Sequence, residues 1–133
     1  MVENRAQRAG RVRREDSLDE GNWDLAAKNV DAFAKLAWEE YGLKTCVHPH
    51  VGGYLETNFE IDAVLERTDP ENVGLCFDMA HIAYGESDPV EVLDQWRDRV
   101  WYMHIKECDD RVRDEVLARE GDYFNGVEAG VFP

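Results

Sequence analysis

Val73-Gly74-Leu75-Cys76-Phe77-Asp78-Met79-Ala80-His81 is a short apolar run that stops abruptly at a carboxylate. Two runs of the same kind flank it. Leu43-Lys44-Thr45-Cys46-Val47 ends at His48, and Val100-Trp101-Tyr102-Met103 ends at His104. Each is too short for a helix and close to continuously apolar, as strands are when both faces of a parallel sheet are buried. Helical patterns separate them. From Trp23 onward Val30, Phe33, Ala34, Ala37 and Tyr41 fall on one face, and Gly42 supplies the stop. Thr57 with Glu60 three positions later has capping-box spacing, ahead of a face of Ile61, Val64, Leu65 and Thr68. Asp88-Pro89 with Glu91 opens another helix, whose Val90, Leu93 and Trp96 face one way. A charged helix around Arg111–Glu120 and a short segment around Tyr123–Val127 follow.

The order is therefore α-β-α-β-α-β-α. The strand ends recur at intervals of 30 and 26 residues, the period of a βα unit rather than of a solenoid repeat. Right-handed crossovers place such strands side by side. The expected fold is α/β, a partial parallel (β/α) barrel of about three βα units. Residues 1–21 read as an irregular, Arg-rich lead-in and residues 22–133 as the barrel domain.

The three strand ends carry the chemistry. In parallel barrels the C-terminal strand ends form the active face, so His48, Asp78 and His104 are aimed at one spot. A single His or Asp at a strand end is ordinarily a turn or cap residue, and Asp78 alone would serve loop amides. All three at equivalent positions suggest a divalent metal. Mixed N and O donors suit Mn²⁺, Co²⁺, Zn²⁺ or Fe²⁺ better than Ca²⁺. The other two of the 4 His lie just beyond. His50 and His81 are either loop and cap residues or groups that orient ligands and touch substrate hydroxyls. Lys106, two residues past His104, is either a surface Lys or a contact to a substrate oxygen. Glu56 and Glu107 read as solvated or capping, and Trp101 and Tyr102 as strand residues alternating in packing.

Composition narrows the function. The formal net charge is −14, and the five Arg of residues 1–14 make the rest more acidic still, which opposes binding to nucleic acid phosphates. The Arg-rich start has no aromatic residue for base stacking and reads as a solvated leader. No apolar run approaches a membrane span of about 20 residues, and no signal segment opens the chain, so a cytoplasmic protein is expected. The 3 Cys have no CxxC spacing and read as buried free thiols.

The stretches Val47-His48-Pro49-His50-Val51-Gly52-Gly53-Tyr54-Leu55-Glu56-Thr57, Gly74-Leu75-Cys76-Phe77-Asp78-Met79-Ala80-His81, Asp88-Pro89 and Met103-His104-Ile105-Lys106 resemble the xylose-isomerase-like TIM-barrel superfamily. Within it they look most like inosose dehydratase and the related sugar-phosphate isomerase/epimerase proteins. Gly121-Asp122-Tyr123-Phe124 through Gly130-Val131-Phe132 resembles the stretch leading to that family's last strand. The resemblance implies that the strands are the fifth to seventh of a barrel. It makes Asp78 and His104 metal ligands, with His48 or His50 in place of a glutamate ligand on the fifth strand. His81 matches a substrate-hydroxyl contact and Lys106 a lysine beside the site, which puts both among the candidate catalytic and substrate-binding residues. The family's D-T-G-H reads Asp78-Met79-Ala80-His81 here, a bulkier turn.

The matched region starts near the fourth helix and ends short of the eighth strand and its glutamate ligand. A truncated barrel is therefore expected, since a full one takes about 250 residues. The implied activity is that of a metal-dependent lyase or isomerase/epimerase on a keto-inositol or ketose, through an enediolate stabilised by the ion as Lewis acid. The alternatives are an inactive barrel remnant or partner-binding module, and an endonuclease-type barrel, which the acidic balance opposes. Uncovered barrel edges invite self-association.

Overall fold

The computed structural model describes residues 5–133. Three strands, β1 (Thr45–Val47), β2 (Val73–Asp78) and β3 (Val100–His104), form one parallel sheet in the order β1-β2-β3. Six helices accompany them: α1 (Glu20–Tyr41), α2 (Asn58–Leu65), α3 (Met79–Tyr84), α4 (Pro89–Trp96), α5 (Asp110–Ala118) and α6 (Tyr123–Glu128). This is the partial parallel (β/α) barrel expected from the strand-end spacing.

The helix signals act through identifiable bonds. Gly42 takes the left-handed conformation (φ 65°) that ends α1. Glu60 reaches back to accept from the amides of Thr57 (3.1 Å) and Glu56 (3.0 Å), satisfying donors that α2 leaves orphaned. Asp88 accepts from Val90 N at 2.8 Å, with Pro89 at the first helical position of α4.

All six residues of β2 are buried. Alternation then sorts them. Leu75 and Phe77 join Ile61, Val64, Leu65, Trp23, Ile82 and Val92 in the main core beneath the helices. Gly74, Cys76 and Asp78 point to the opposite, inner face. The register pairs Cys46 with Gly74, Val47 with Leu75, Cys76 with Tyr102 and Asp78 with His104. His48, one step past Val47, therefore continues toward Cys76.

Several sequence expectations are corrected. The buried stripe of α1 is Trp23, Ala27, Ala34 and Ala37, while Phe33 and Tyr41 are exposed. Small side chains let the helix lie close against the sheet and α2, which leaves the bulkier rings outside. In α4 Val92 is the fully buried residue and Val90 is exposed, while Leu93 and Trp96 pack against the core as expected. The stretch after Asp78, read as a loop, is α3. Its N-cap is Asp78 itself, which accepts from His81 N at 3.1 Å.

The lead-in is not simply solvated. It forms short 3-10 turns at Arg5–Arg8 and Arg14–Asp16. Arg5 is buried, paired with the buried Glu60 at 2.7 Å, and also donates to the carbonyls of Gly53 (3.1 Å) and Asp16 (2.8 Å). Glu56, expected to be solvated or capping, is buried and accepts from Gly10 N and Gly52 N, both at 2.7 Å. Together Arg5, Glu56 and Glu60 tie the lead-in to the loop between β1 and α2. A second small core of Ala9, Val51, Tyr84 and Val131 lies beneath that tie.

Candidate metal-binding active site

The C-terminal ends of β1, β2 and β3 converge on one carboxylate oxygen. His48 Nε2 and His104 Nδ1 each lie 3.1 Å from Asp78 Oδ2, and Lys106 Nζ lies 3.0 Å from the same atom. The other oxygen of Asp78 is held by the His81 amide. Asp78 is fully buried, whereas His48, His104 and Lys106 are each about a third to a half exposed and form the rim. Burial alone would raise the Asp78 carboxyl. The His81 amide, Lys106 and His48 outweigh it and hold the pKa at about 2. The carboxylate is thus ionised across all ordinary pH.

Burial also lowers the pKa of His48, against the pull of Asp78. A lowered pKa favours the neutral imidazole that a metal requires. His81 is buried more deeply. Desolvation, together with repulsion from His50 and Lys106, brings it down to about 3. Val51 N donates to His81 Nδ1 at 3.3 Å, so the ring proton sits on Nε2. His50 is exposed and stacks over His81, with centroids 3.9 Å apart.

All six residues expected at the site are brought together. His48, Asp78, His104 and Lys106 meet at Asp78 Oδ2; His81 and His50 form a shelf beside them, with the His48 ring 5.7 Å from each. Glu107 stays on the exposed surface. Three further side chains belong to the same region. Tyr123 lies 5.4 Å from the His50 ring, and Phe132 packs 5.1 Å from His81 with Lys106 Nζ 5.3 Å above its ring. Both come from the C-terminal segment, which no periodicity ties to the strand ends. The third is Cys76. Its place two residues before Asp78 on the same strand face was legible as alternation, had the cysteines not been read as packing alone.

Trp101 and Tyr102 do not alternate as expected. The register slips between Leu75 and Cys76, and both rings line an inner hollow with Cys46, His48, Cys76 and His104. Gly74 makes this possible, since a Cβ there would sit 2.3 Å from the Trp101 ring.

Two donor sets that share His48 have the spacing a divalent ion needs. In the sets His48/Asp78/His81 and His48/Cys76/His104, one ligand atom from each residue lies within 4.8 Å of the others. Three donor groups crowding one buried carboxylate oxygen also mark a place where positive charge is stabilised.

The sequence pattern of the xylose isomerase-like TIM barrel family matches residues 5–129. The chain belongs to that family. It is 38% identical over 116 residues to an inosose dehydratase of Histophilus somni (strain 129Pt), covering 85% of this chain and 38% of that protein. Against an inosose dehydratase of Geobacillus kaustophilus (strain HTA426) it is 35% identical over 115 residues, covering 86% and 37%. The chain thus spans well under half the length of these relatives. Among solved structures, the probable 3-DHS dehydratase AsbF of Bacillus anthracis aligns with a TM-score of 0.61 at 17% identity, covering 69% of this chain and 33% of that one. A sugar phosphate isomerase/epimerase of Parabacteroides distasonis ATCC 8503 aligns at 0.57 and 17%, covering 85% and 51%. These two share the barrel fold. Among the described residues no helix is long and apolar enough to cross a membrane.

Proposed function

We propose that this chain carries the metal-binding part of an active site that works beside the ketone of a keto-inositol or ketose, in a lyase or isomerase/epimerase of the inosose dehydratase type. One observation carries the reading. His48, His104 and Lys106, from the ends of β1 and β3 and the loop after β3, share a single oxygen of the buried, ionised Asp78. His48, Asp78 and His104 are the proposed ligands of a divalent ion, with Mn²⁺, Co²⁺, Zn²⁺ and Fe²⁺ all compatible. When bound, such an ion supplies Lewis acidity to a ketone oxygen and its neighbouring hydroxyl.

The chain's own residues bind and orient the substrate, and the proton acidified beside the ketone passes to solvent. Asp78 brings the negative charge and, through Oδ1, fixes the start of α3 and hence the position of His81. His81 stays neutral with its proton on Nε2, so it serves as a hydrogen-bond donor to a substrate hydroxyl rather than as a proton acceptor. Lys106 is held by Asp78 and shifts to a substrate oxygen that carries developing charge. His50 and Tyr123 wall the side on which a polyol ring lies.

The 31–38% identity to inosose dehydratases supports this class of substrate. Among the described residues the outer edges of β1 and β3 are unpaired and Tyr102, Met103 and Ile105 are exposed beside them, which supports self-association through these edges. The test is to incubate the protein with Mn²⁺ and a keto-inositol in heavy water and follow solvent deuterium into the carbon beside the ketone by mass spectrometry. Exchange lost in Lys106→Met is expected. Tight metal binding with no exchange and no ketose binding would instead identify a barrel remnant.

A further inference from the structure

The inner hollow beneath the strand ends holds a second set of metal-binding atoms. Cys76 lies on the inner face of β2, two residues below Asp78 and opposite Tyr102 in the register. It is buried, and it is a free thiol. Its Sγ and one ring nitrogen each of His48 and His104 lie within 4.8 Å of one another. Ligand atoms bound to one tetrahedral zinc, at about 2.0 Å for nitrogen and 2.3 Å for sulfur, sit roughly 3.3–3.6 Å apart. The set therefore needs to close by at most about 1.5 Å. His104 is partly exposed and has room to turn.

Cys46 is on the same wall, and the Trp101 and Tyr102 rings close the far side. The surroundings are thus sulfur, imidazole and aromatic carbon, unlike the carboxylate and ammonium groups just above. Thiolate with two imidazoles favours thiophilic ions, whereas carboxylate-rich positions suit Mn²⁺ and Mg²⁺. Three protein ligands would leave a tetrahedral ion one open position.

We propose that His48, Cys76 and His104 form a thiolate site for a thiophilic divalent ion such as Zn²⁺ or Cd²⁺, one step deeper in the barrel than the Asp78 site. It draws on the same two histidines as the site proposed above, so the two positions compete. Ions that prefer oxygen donors take the Asp78 position, and thiophilic ions take the Cys76 position. The chain's metal preference then depends on a cysteine that is not needed to hold an oxygen-preferring ion.

Co²⁺ is the probe, because a cobalt–thiolate bond adds near-ultraviolet charge-transfer absorption that nitrogen and oxygen ligands do not give. The chelator-stripped protein, titrated with Co²⁺, is expected to show this band. The Cys46→Ser/Cys108→Ser double variant, in which Cys76 is the sole thiol, keeps it. Cys76→Ser loses it and binds Zn²⁺ at least about tenfold more weakly, while its Mn²⁺ binding is unchanged. Asp78→Asn keeps the band and loses Mn²⁺ binding. Co²⁺ bound without the band, or a band that disappears in the double variant, overturns the thiolate site and leaves the Asp78 reading standing. A band in the parent with no Mn²⁺ binding supports the thiolate site and defeats the Asp78 reading. No Co²⁺ binding at all defeats both.

Discussion

Replacing Arg5 by Met tests whether the Arg-rich lead-in is part of the fold. Arg5 Nη2 pairs with Glu60 Oε1 at 2.7 Å, and both side chains are buried. Nε and Nη1 donate to two main-chain carbonyls, from Gly53 and Asp16. Methionine keeps the aliphatic stem but leaves the Glu60 carboxylate buried without a counter-charge and two carbonyls without a donor. Breaking one side of a buried pair costs about 3–5 kcal/mol. Glu60 keeps its two amide donors, from Glu56 and Thr57, which places the expected loss near the lower end, at about 3 kcal/mol. For a chain of this length that lowers Tm by roughly 10 °C. Urea unfolding followed by tryptophan fluorescence is the assay, since Trp23 and Trp96 both belong to or pack on the main core. The paired variant Arg5→Met/Glu60→Leu should lose less than the two single changes together, with a coupling of about 2 kcal/mol. A loss under about 0.5 kcal/mol for Arg5→Met, as at ordinary surface positions, would refute the reasoning and return the lead-in to a solvated leader.

Other expectations follow from the site and its walls. Stability should fall with acid in two windows. His81 has a folded pKa of about 3, below the ordinary 6.5, so the unfolded chain binds its proton first and stability declines as pH drops from about 6.5 toward 3. Asp78, held at about 2 rather than 3.8, adds up to about 2 kcal/mol that is fully present above about pH 5 and lost as pH falls through 2. Denaturant midpoints across pH should show the first window flattened in His81→Gln and the second in Asp78→Asn. Gly74→Ala should cost about 1–3 kcal/mol, because its Cβ meets the Trp101 ring, with a shift in tryptophan emission as the ring moves. Lys106→Met should bind Mn²⁺ several-fold more tightly by calorimetry, since a competing cation is removed from Asp78, while deuterium exchange is lost.

The convergence of His48, Asp78 and His104 was legible because strand length and crossover direction are fixed by backbone geometry. Apolar runs of equal kind ending in His48, Asp78 and His104 at a βα period can only bring those ends together. Helix caps were legible for the same local reason, as at Asp88-Pro89 and Thr57 with Glu60. What the sequence left open depends on contacts distant along the chain. Periodicity allowed α1 either face, and the preference for small side chains against the sheet selected Ala34 and Ala37 over Phe33 and Tyr41. Arg5 looks like any surface arginine until Glu60, 55 residues away, is placed beside it. Asp78 serves in both of the roles the sequence offered, strand-end carboxylate and cap, but the helix it caps, α3, was read as a loop. Cys76 was read by redox compartment, which says nothing of its neighbours on the inner face.

The central claim is that the ends of three parallel strands in this chain hold a divalent ion at Asp78. The most direct measurement is thermal unfolding of chelator-stripped protein with and without Mn²⁺, beside an Asp78→Ala/His104→Ala variant. At a hundredfold excess over Kd, binding should add about 2.7 kcal/mol and raise Tm by roughly 10 °C, and the variant should show no rise. An unchanged Tm in the parent, or the same rise in both proteins, would contradict the account.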